Sequence, residues 1–364
     1  MAKNENLHRA KATKEDEFYT QRSYIEDELS HYEKHFEGKT VYCNCDDPES
    51  SEFWQFFRRV FGAWKIKRLI ATHYEPNAKN YAYSLDLSED TNGDGVIDWN
   101  DKPVLTQLPC NGDFRSAACI ELLKQADIVV TNPPFSLWRE YVQQLIEYDK
   151  KFLIIGSQNA ITYKEIFPLL MNNQMWLGYY SGDMKFKVPD YYEPRATRFW
   201  IDETGQKWRS LGNTCWYTNL DIPKRHQHLD LRGNYYQMNT YQTYDNYDAI
   251  EVSKVSDIPC DWDGIMGVPV TFLSKYSPDQ FEIVGITKTW FGSAIKIYPK
   301  QIQIDTNGSR KEVTKLNDGP VLKLAVPPTT KTYYEVDGEY YLQTYARILI
   351  KNKHPEPRRF PDEN

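Results

Sequence analysis

Asp127-Ile128-Val129-Val130-Thr131-Asn132-Pro133-Pro134-Phe135 is the stretch on which the fold is read. Ile128 to Thr131 is a short, β-branched apolar run entered from an acidic residue, the pattern of a parallel strand covered on both faces. The run stops at two prolines, which fix two φ angles and bias Asn132 towards extended backbone, so the Asn132 carboxamide and the Pro133 carbonyl have little freedom. Both present oxygens that accept hydrogen bonds. An exocyclic amine on a heteroaromatic ring is a poor nucleophile, because its lone pair is delocalised into the ring. Two fixed acceptors for its hydrogens favour a more tetrahedral nitrogen that can attack a methyl group on a sulfonium centre, with no general base. Phe135 offers a flat apolar face to the same ring. The plainer reading of Asn132, Pro133, Pro134 and Phe135 is a strand-ending turn; their place directly behind a buried strand favours the chemical one.

Around this run, strands and helices alternate. Ser23 to Phe36 reads as a helical stretch stopped by Gly38, Lys39 to Cys45 as a strand, and Ser51 to Phe61 as an aromatic-rich helix with Ser50 or Ser51 at its N-cap. Lys67 to His73 is the next strand, Arg115 to Gln125 and Trp138 to Tyr148 are helical, and Lys151 to Gly156 is a further strand. The alternation predicts an α/β fold with a doubly wound, mostly parallel sheet and ligands at the carboxyl ends of its strands. After about Asp221 the pattern changes to short aromatic and β-branched runs broken by Gly, Pro and Asn, which predicts a second, β-rich domain over 222–364.

Several segments resemble those of the amino-group DNA methyltransferases, and within them the EcoRI-type adenine-specific enzymes. They are Asp16-Glu17-Phe18-Tyr19-Thr20, the strand Thr40 to Cys45 with Asp46-Asp47-Pro48, Gly112-Asp113-Phe114-Arg115-Ser116, the Asn-Pro-Pro-Phe run with Ser136 to Tyr141 behind it, and Leu211 to Asp221. The resemblance implies a Rossmann-like class I methyltransferase domain over 1–221, with an insertion at about 80–108, and a C-terminal target-recognition region. It implies transfer of a methyl group from S-adenosylmethionine to an adenine amino group in double-stranded DNA. A restriction endonuclease partner is compatible with it but is not written in the chain.

The same resemblance places Phe18, Tyr19 and Thr20 around the methionine end of the cofactor. Asn44, Asp46 and Asp47 fall in the turn after the first strand, Glu75 after the second as an acceptor for ribose hydroxyls, and Asp113 and Phe114 at the cofactor's adenine. The turn after the first strand lacks the family's usual glycines, and the plainer role for its acids is helix capping. A base inside a duplex must be rotated out and held between aromatic faces; Phe135 is one expected face and Phe186 the other, with Phe199, Trp200 or plain core packing as alternatives.

Residues 90–101 match a calcium loop in spacing, with Asp90, Asn92, Asp94, Val96 (through its carbonyl), Asp98 and Asp101 at the ligand positions and Gly95 at the sixth. Asp101 is shorter than the usual Glu, and the preceding Tyr81 to Leu87 alternates like a strand, so an insertion hairpin competes with a structural calcium clip.

At 364 residues the chain can hold two cores, and it contains neither a signal-peptide pattern nor a continuous apolar span, which points to a soluble, cytoplasmic protein away from membranes. Its six cysteines lack the paired spacing of a zinc site, so neither zinc nor disulfides are expected. The net charge of -7 argues against a cationic coat protein for nucleic acid. From Ile222 onward 18 Lys and Arg balance 18 Asp and Glu, so the whole acidic excess lies in the first part. Three readings stay open on these residues: an adenine DNA methyltransferase, an amino-group methyltransferase acting on RNA, cytosine or protein glutamine, and a non-catalytic DNA- or calcium-binding module.

Overall fold

Ile128–Thr131 is a strand buried at every position, and its neighbours in space are as apolar as it is. In the computed structural model, which describes residues 18–45, 48–49, 51–74, 82–238 and 240–357, it is the centre of an eight-stranded sheet. The strands of the first part are β1 (Thr40–Cys43), β2 (Arg68–Thr72), β3 (Tyr83–Leu87), β4 (Val104–Gln107), β5 (Ile128–Thr131), β6 (Lys151–Ser157), β7 (Trp176–Gly182), β8 (Lys185–Lys187), β9 (Phe199–Ile201), β10 (Lys207–Ser210) and β11 (Thr214–Thr218). The large sheet runs β4-β3-β2-β1-β5-β6-β11-β7, and β8-β10-β9 form a separate three-stranded sheet.

Only the centre of the large sheet is parallel. β2, β1, β5 and β6 pair in parallel, whereas β3 and β4 on one flank and β11 and β7 on the other pair antiparallel. The expectation of a mostly parallel sheet is therefore corrected to a mixed one. The hairpin β3–β4 extends the sheet edge within the stretch expected as an insertion, and the β8–β10 excursion returns the chain as β11 against the direction of β6. A parallel neighbour would need a longer crossover.

Among the described residues four helices of eight or more residues accompany the sheet: α1 (Arg22–Leu29), α2 (Glu52–Val60), α3 (Ala117–Gln125) and α4 (Trp138–Glu147). Alternation along the strands sorts their side chains between two faces. Val41, Leu69, Ile128, Val130, Leu153 and Ile155 share one core with Ile25 and Leu29 of α1 and Phe53, Trp54, Phe56 and Phe57 of α2. Tyr42, Val129 and Phe152 point the other way and are equally buried, on the side where α3 meets β1 and α4 meets β6. Ser51 caps α2 by accepting from the Trp54 amide at 3.5 Å, and Ser116 caps α3 through Cys119 at 3.3 Å. The helical stretch expected from Ser23 to Phe36 is split, because α1 ends at Leu29 and a one-turn helix resumes only at Glu33.

The chain divides into two compact units, the first running to Ala160 and including Met175–Ile222, the second comprising Ile161–Gln174 and the chain from Pro223. In the second, β12 (Ile250–Glu251), β13 (Met266–Pro269), β14 (Phe281–Ile286), β15 (Gln301–Ile304), β16 (Arg310–Val313), β17 (Val321–Leu324), β18 (Tyr333–Val336), β19 (Glu339–Gln343) and β20 (Arg347–Asn352) form a four-stranded sheet, β12-β13-β20-β14, and a five-stranded one, β16-β15-β18-β19-β17. An ion pair is buried in this unit: the Arg347 guanidinium donates to both Glu251 oxygens at 2.7 and 3.2 Å. No helix among the described residues is long and apolar enough to cross a membrane.

Glu28 ties α1 to the edge strand of the first unit. Its carboxylate is fully buried and accepts from the Tyr179 and Tyr180 amides at 2.8 and 2.7 Å and from the Tyr32 hydroxyl at 2.8 Å. Beside that carboxylate, burial and the Glu28 charge hold the Tyr32 phenol far above its ordinary range. Replacing Glu28 by Ala strands two backbone donors away from water and is expected to cost about 3 kcal/mol of unfolding free energy, read from the urea midpoint.

Candidate active site

Because β2, β1, β5 and β6 run the same way, the loops that follow them share one edge of the sheet, and side chains there are tied across strand ends. At the start of the ladder the Asp127 carboxylate accepts from the Thr40 amide at 2.8 Å and fixes the register of β5 on β1. At the far end the Thr131 hydroxyl donates to the Asn44 carbonyl. The buried Tyr141 hydroxyl of α4 donates to the Asn44 side-chain oxygen. Asn44 thus braces the turn after β1 against the turn after β5. The turn needs no glycine: Cys45 itself takes a left-handed backbone at φ 67.

Asn132 follows directly. Its Nδ2 donates to the Phe18 carbonyl at 2.7 Å, while its Oδ1 is buried and has no hydrogen-bond partner among the described residues. The Phe18 carbonyl can only accept, so this bond decides which end of the carboxamide faces it. Phe18 is held in turn by Tyr19, which forms an isolated antiparallel bridge with Lys187 of β8, the Tyr19 amide donating at 2.9 Å. Thr20 is buried and its hydroxyl is also without a partner among the described residues. Pro133 is buried, and Phe135 is half-buried with its ring edge-on to Phe18 at 5.4 Å and 82°.

Phe186, read from the sequence as a base-stacking face, is buried within the core. Its ring lies 5.6 Å from Phe18 and 6.5 Å from Phe135. It therefore backs those rings, and base stacking by Phe186 stays an expectation. Tyr192, which sequence reading passed over, closes the cluster 6.1 Å from Phe18.

Residues 112–114 reach the same edge. Gly112 sits at φ 81, and a Cβ there would lie 1.9 Å from the His73 carbonyl oxygen, so glycine alone lets this loop lie against the turn after β2. Phe114 is buried and meets Tyr141 edge-on at 5.0 Å. The Asp113 carboxylate is bound by the Arg115 guanidinium at 2.6 and 2.8 Å, and Glu140 approaches the same guanidinium at 3.3 Å. Any amine donor reaching Asp113 has to share it with Arg115. Asp46, Asp47 and Glu75 lie outside the described residues.

The 90–101 loop is organised by its own hydrogen bonds. Asp90 accepts from the Gly93 and Gly95 amides at 2.6 and 2.8 Å, Asn92 from Asp94 at 2.8 Å and Asp94 from Val96 at 2.9 Å. Asp101 accepts from Thr91, Asn92 and Asp98 amides at 2.6, 3.2 and 2.9 Å, and those bonds pull its carboxyl below the ordinary range. Among the described residues no group of three or more His, Cys, Asp or Glu stands where it could hold a metal ion. Calcium at Asp90, Asn92, Asp94, Val96, Asp98 and Asp101 is not shown; what is shown is that these carboxylates accept from backbone amides of the loop between β3 and β4.

The buried Thr20 hydroxyl, without a partner among the described residues, and the apolar wall at Phe114 fit a cofactor with a polar amino-acid end and a purine. Sequence reading assigned no role to Tyr141 and missed the Phe18 carbonyl, whose partner lies 114 residues away. Gly112→Ala is expected to cost at least about 2 kcal/mol of stability and to weaken cofactor binding, by urea denaturation and calorimetry respectively.

The chain matches the family described as "Adenine-specific methyltransferase EcoRI" over residues 6–353. It is 47% identical over 297 residues to the Type II methyltransferase M.EcoRI of Escherichia coli, covering 79% of this chain and 90% of that protein. It is 40% identical over 355 residues to the Type II methyltransferase M.MgeORF184P of Mycoplasma genitalium, covering 96% and 99%. Against the Type II methyltransferase M.MpnI of Mycoplasma pneumoniae the identity is 39% over 285 residues, covering 76% and 84%. No solved structure matches. With nearly its whole length matched and the strand-end carboxamide in place, the chain belongs to the EcoRI family of adenine-specific methyltransferases.

Proposed function

We propose that this enzyme methylates the exocyclic N6 of an adenine rotated out of duplex DNA at a specific site, with Asn132 as the residue that receives the amine. The observation that carries the reading is the Asn132 carboxamide, whose nitrogen is spent on Phe18 and whose buried oxygen is unmatched. An adenine amine supplies the missing donor. Asn132 Oδ1 and the Pro133 carbonyl accept its two hydrogens and draw the nitrogen towards a tetrahedral, nucleophilic geometry. Phe135 lies along the base, with Phe18 and Phe186 holding its ring in place. The proton lost on transfer needs no strong base, because the methylated amine is acidic until it loses it.

S-adenosylmethionine, the methyl donor that a methyltransferase of this family uses, supplies an electrophilic methyl on sulfonium. Thr20 and the backbone at Asn44 would hold its amino-acid end, and Asp113 and Phe114 its adenine. Tyr19, Asp46, Asp47 and Glu75 remain as expected contributors. The parallel centre β2-β1-β5-β6, with helices against both faces, supports reading 1–221 as a class I methyltransferase core, and 222–364 as the region that reads the DNA sequence. The Type II names of the relatives support a restriction endonuclease partner of the same specificity.

Incubation with labelled S-adenosylmethionine and duplex DNA is expected to place the label in N6-methyladenine; label in RNA or protein alone would refute the substrate. Asn132→Ala is expected to lower turnover by about 10²- to 10³-fold or more while cofactor binding by calorimetry persists. Asn132→Asp should be nearly as damaging, since a carboxylate cannot donate to the Phe18 carbonyl.

A further inference from the structure

The three-stranded sheet β8-β10-β9 carries a feature that the methyl-transfer chemistry does not use. Lys187, Trp208 and Trp200 stand directly opposite one another across its strands, and their side chains therefore share a face. Lys185, two residues before Lys187, is on that face as well. The two indoles are near-parallel, 4° apart with centroids at 6.1 Å. Lys185 Nζ lies 6.0 Å from the Trp200 ring centre and Lys187 Nζ 5.8 Å from that of Trp208. Both lysines and Trp200 are exposed. Among the described residues, neither ammonium is paired with a carboxylate. Asp202 accepts from the Trp208 indole N–H at 2.7 Å, which fixes the ring's orientation. The next row, Phe186, Arg209 and Phe199, faces the opposite side, and there Phe186 touches Phe18 and Phe135. The sheet thus has one face in the catalytic aromatic cluster and the other in solvent, with cations set against aromatic planes.

We propose that this outer face is a platform for the DNA strand that carries the target adenine: Lys185 and Lys187 contact its phosphates, and Trp200 and Trp208 pack against its sugars or unstacked bases. The proposal rests on the duplex-DNA reading above. Charge complementarity selects the occupant, since two unpaired ammoniums suit a polyanion. Two flat apolar surfaces held between them suit a strand locally opened by base rotation, whose bases expose π-faces. The link to catalysis is short: β8 bridges Tyr19 through backbone hydrogen bonds, and the carbonyl of the adjacent Phe18 orients Asn132. A strand bound on the platform is thereby held next to the acceptor carboxamide.

The test compares the wild-type protein with Lys185→Gln/Lys187→Gln and with Trp200→Ala, using a fluorescein-labelled duplex containing the target site and an unrelated duplex, by anisotropy over a range of salt concentrations. The lysine pair variant is expected to weaken both duplexes by about 10-fold at 0.1 M salt and to reduce the slope of log Kd against log salt by about 2, because each lost phosphate contact removes about one released counterion. Trp200→Ala is expected to raise the KM for DNA by about 5- to 50-fold, the range for losing one base-aromatic stack, while cofactor affinity by calorimetry and melting temperature stay at wild-type values. Unchanged affinity and salt slope in the lysine variant, with wild-type methylation of duplex DNA intact, would overturn the platform and leave the functional reading standing. A wild-type protein that neither binds nor methylates duplex DNA would overturn both.

Discussion

The hydrogen bond from Asn132 Nδ2 to the Phe18 carbonyl is the constraint around which the site is arranged. A primary amide is nearly symmetric in shape, and a turn that merely held the side chain in place would leave its two ends interchangeable. A carbonyl that can only accept removes that freedom and commits the oxygen to the other side. The commitment is costly. A buried acceptor without a partner forfeits about 1–3 kcal/mol, and Asn132 Oδ1 is such an acceptor. Sites that give up stability in this way are those where a ligand returns it. An amine whose hydrogens complete the pairing recovers the penalty at the moment its nitrogen becomes reactive, so binding and activation draw on the same interaction.

The sheet and the helix behind its Pro-Pro turn steady this bond together. Parallel pairing of β1 with β5 brings Asn44 beside Thr131, and α4, which starts just behind the Pro-Pro turn, returns Tyr141 to the same residue. Two bonds from different elements on one asparagine leave the turn little room to swing. The antiparallel flanks play another part. β3 and β4 extend the sheet to an edge, β4 being exposed throughout, while the β8-β10-β9 excursion on the other flank folds back over Phe18. The mixed sheet is thus a parallel core that makes the site and two antiparallel margins, one of which covers it.

Much of the centre was legible in the sequence because its signals are local. The β-branched run before Asn132, the serines that cap α2 and α3, and the prolines that end β5 each act within a few residues. The four helices and the strands around the site stand close to where these signals put them. What was not legible depends on contacts between distant segments. Nothing in the composition of β11 says that it inserts antiparallel between β6 and β7, since both faces of a buried strand look alike in either direction. Phe186, expected as a base-stacking face with core packing as an alternative, is put by alternation on the inner face and its two flanking lysines on the outer. The loop at 90–101 illustrates the converse. Its spacing is that of a cation loop, but Asx-type turns use the same residues at the same positions, and the sequence alone does not separate a carboxylate that binds an ion from one that binds a backbone amide.

The acidic net charge of the chain also takes on a different meaning once positions are known. At physiological ionic strength, charges beyond about 8–10 Å are largely screened, so a nucleic-acid strand responds to the few groups beneath it and hardly to the total. Many cations of the first unit are already committed: Arg68 to Asp86, Arg115 to Asp113, Arg59 to Glu26 and Lys65 to Glu37. Those pairs contribute little field at a distance. Lys185 and Lys187 rest on indole rings instead, which stabilise a cation without cancelling its charge. A chain of net -7 can therefore present a locally positive face next to its catalytic cluster while its acidic excess, all of it within 1–221, disfavours indiscriminate coating of DNA. An enzyme that must find one sequence among many benefits from that as much as from affinity at the site.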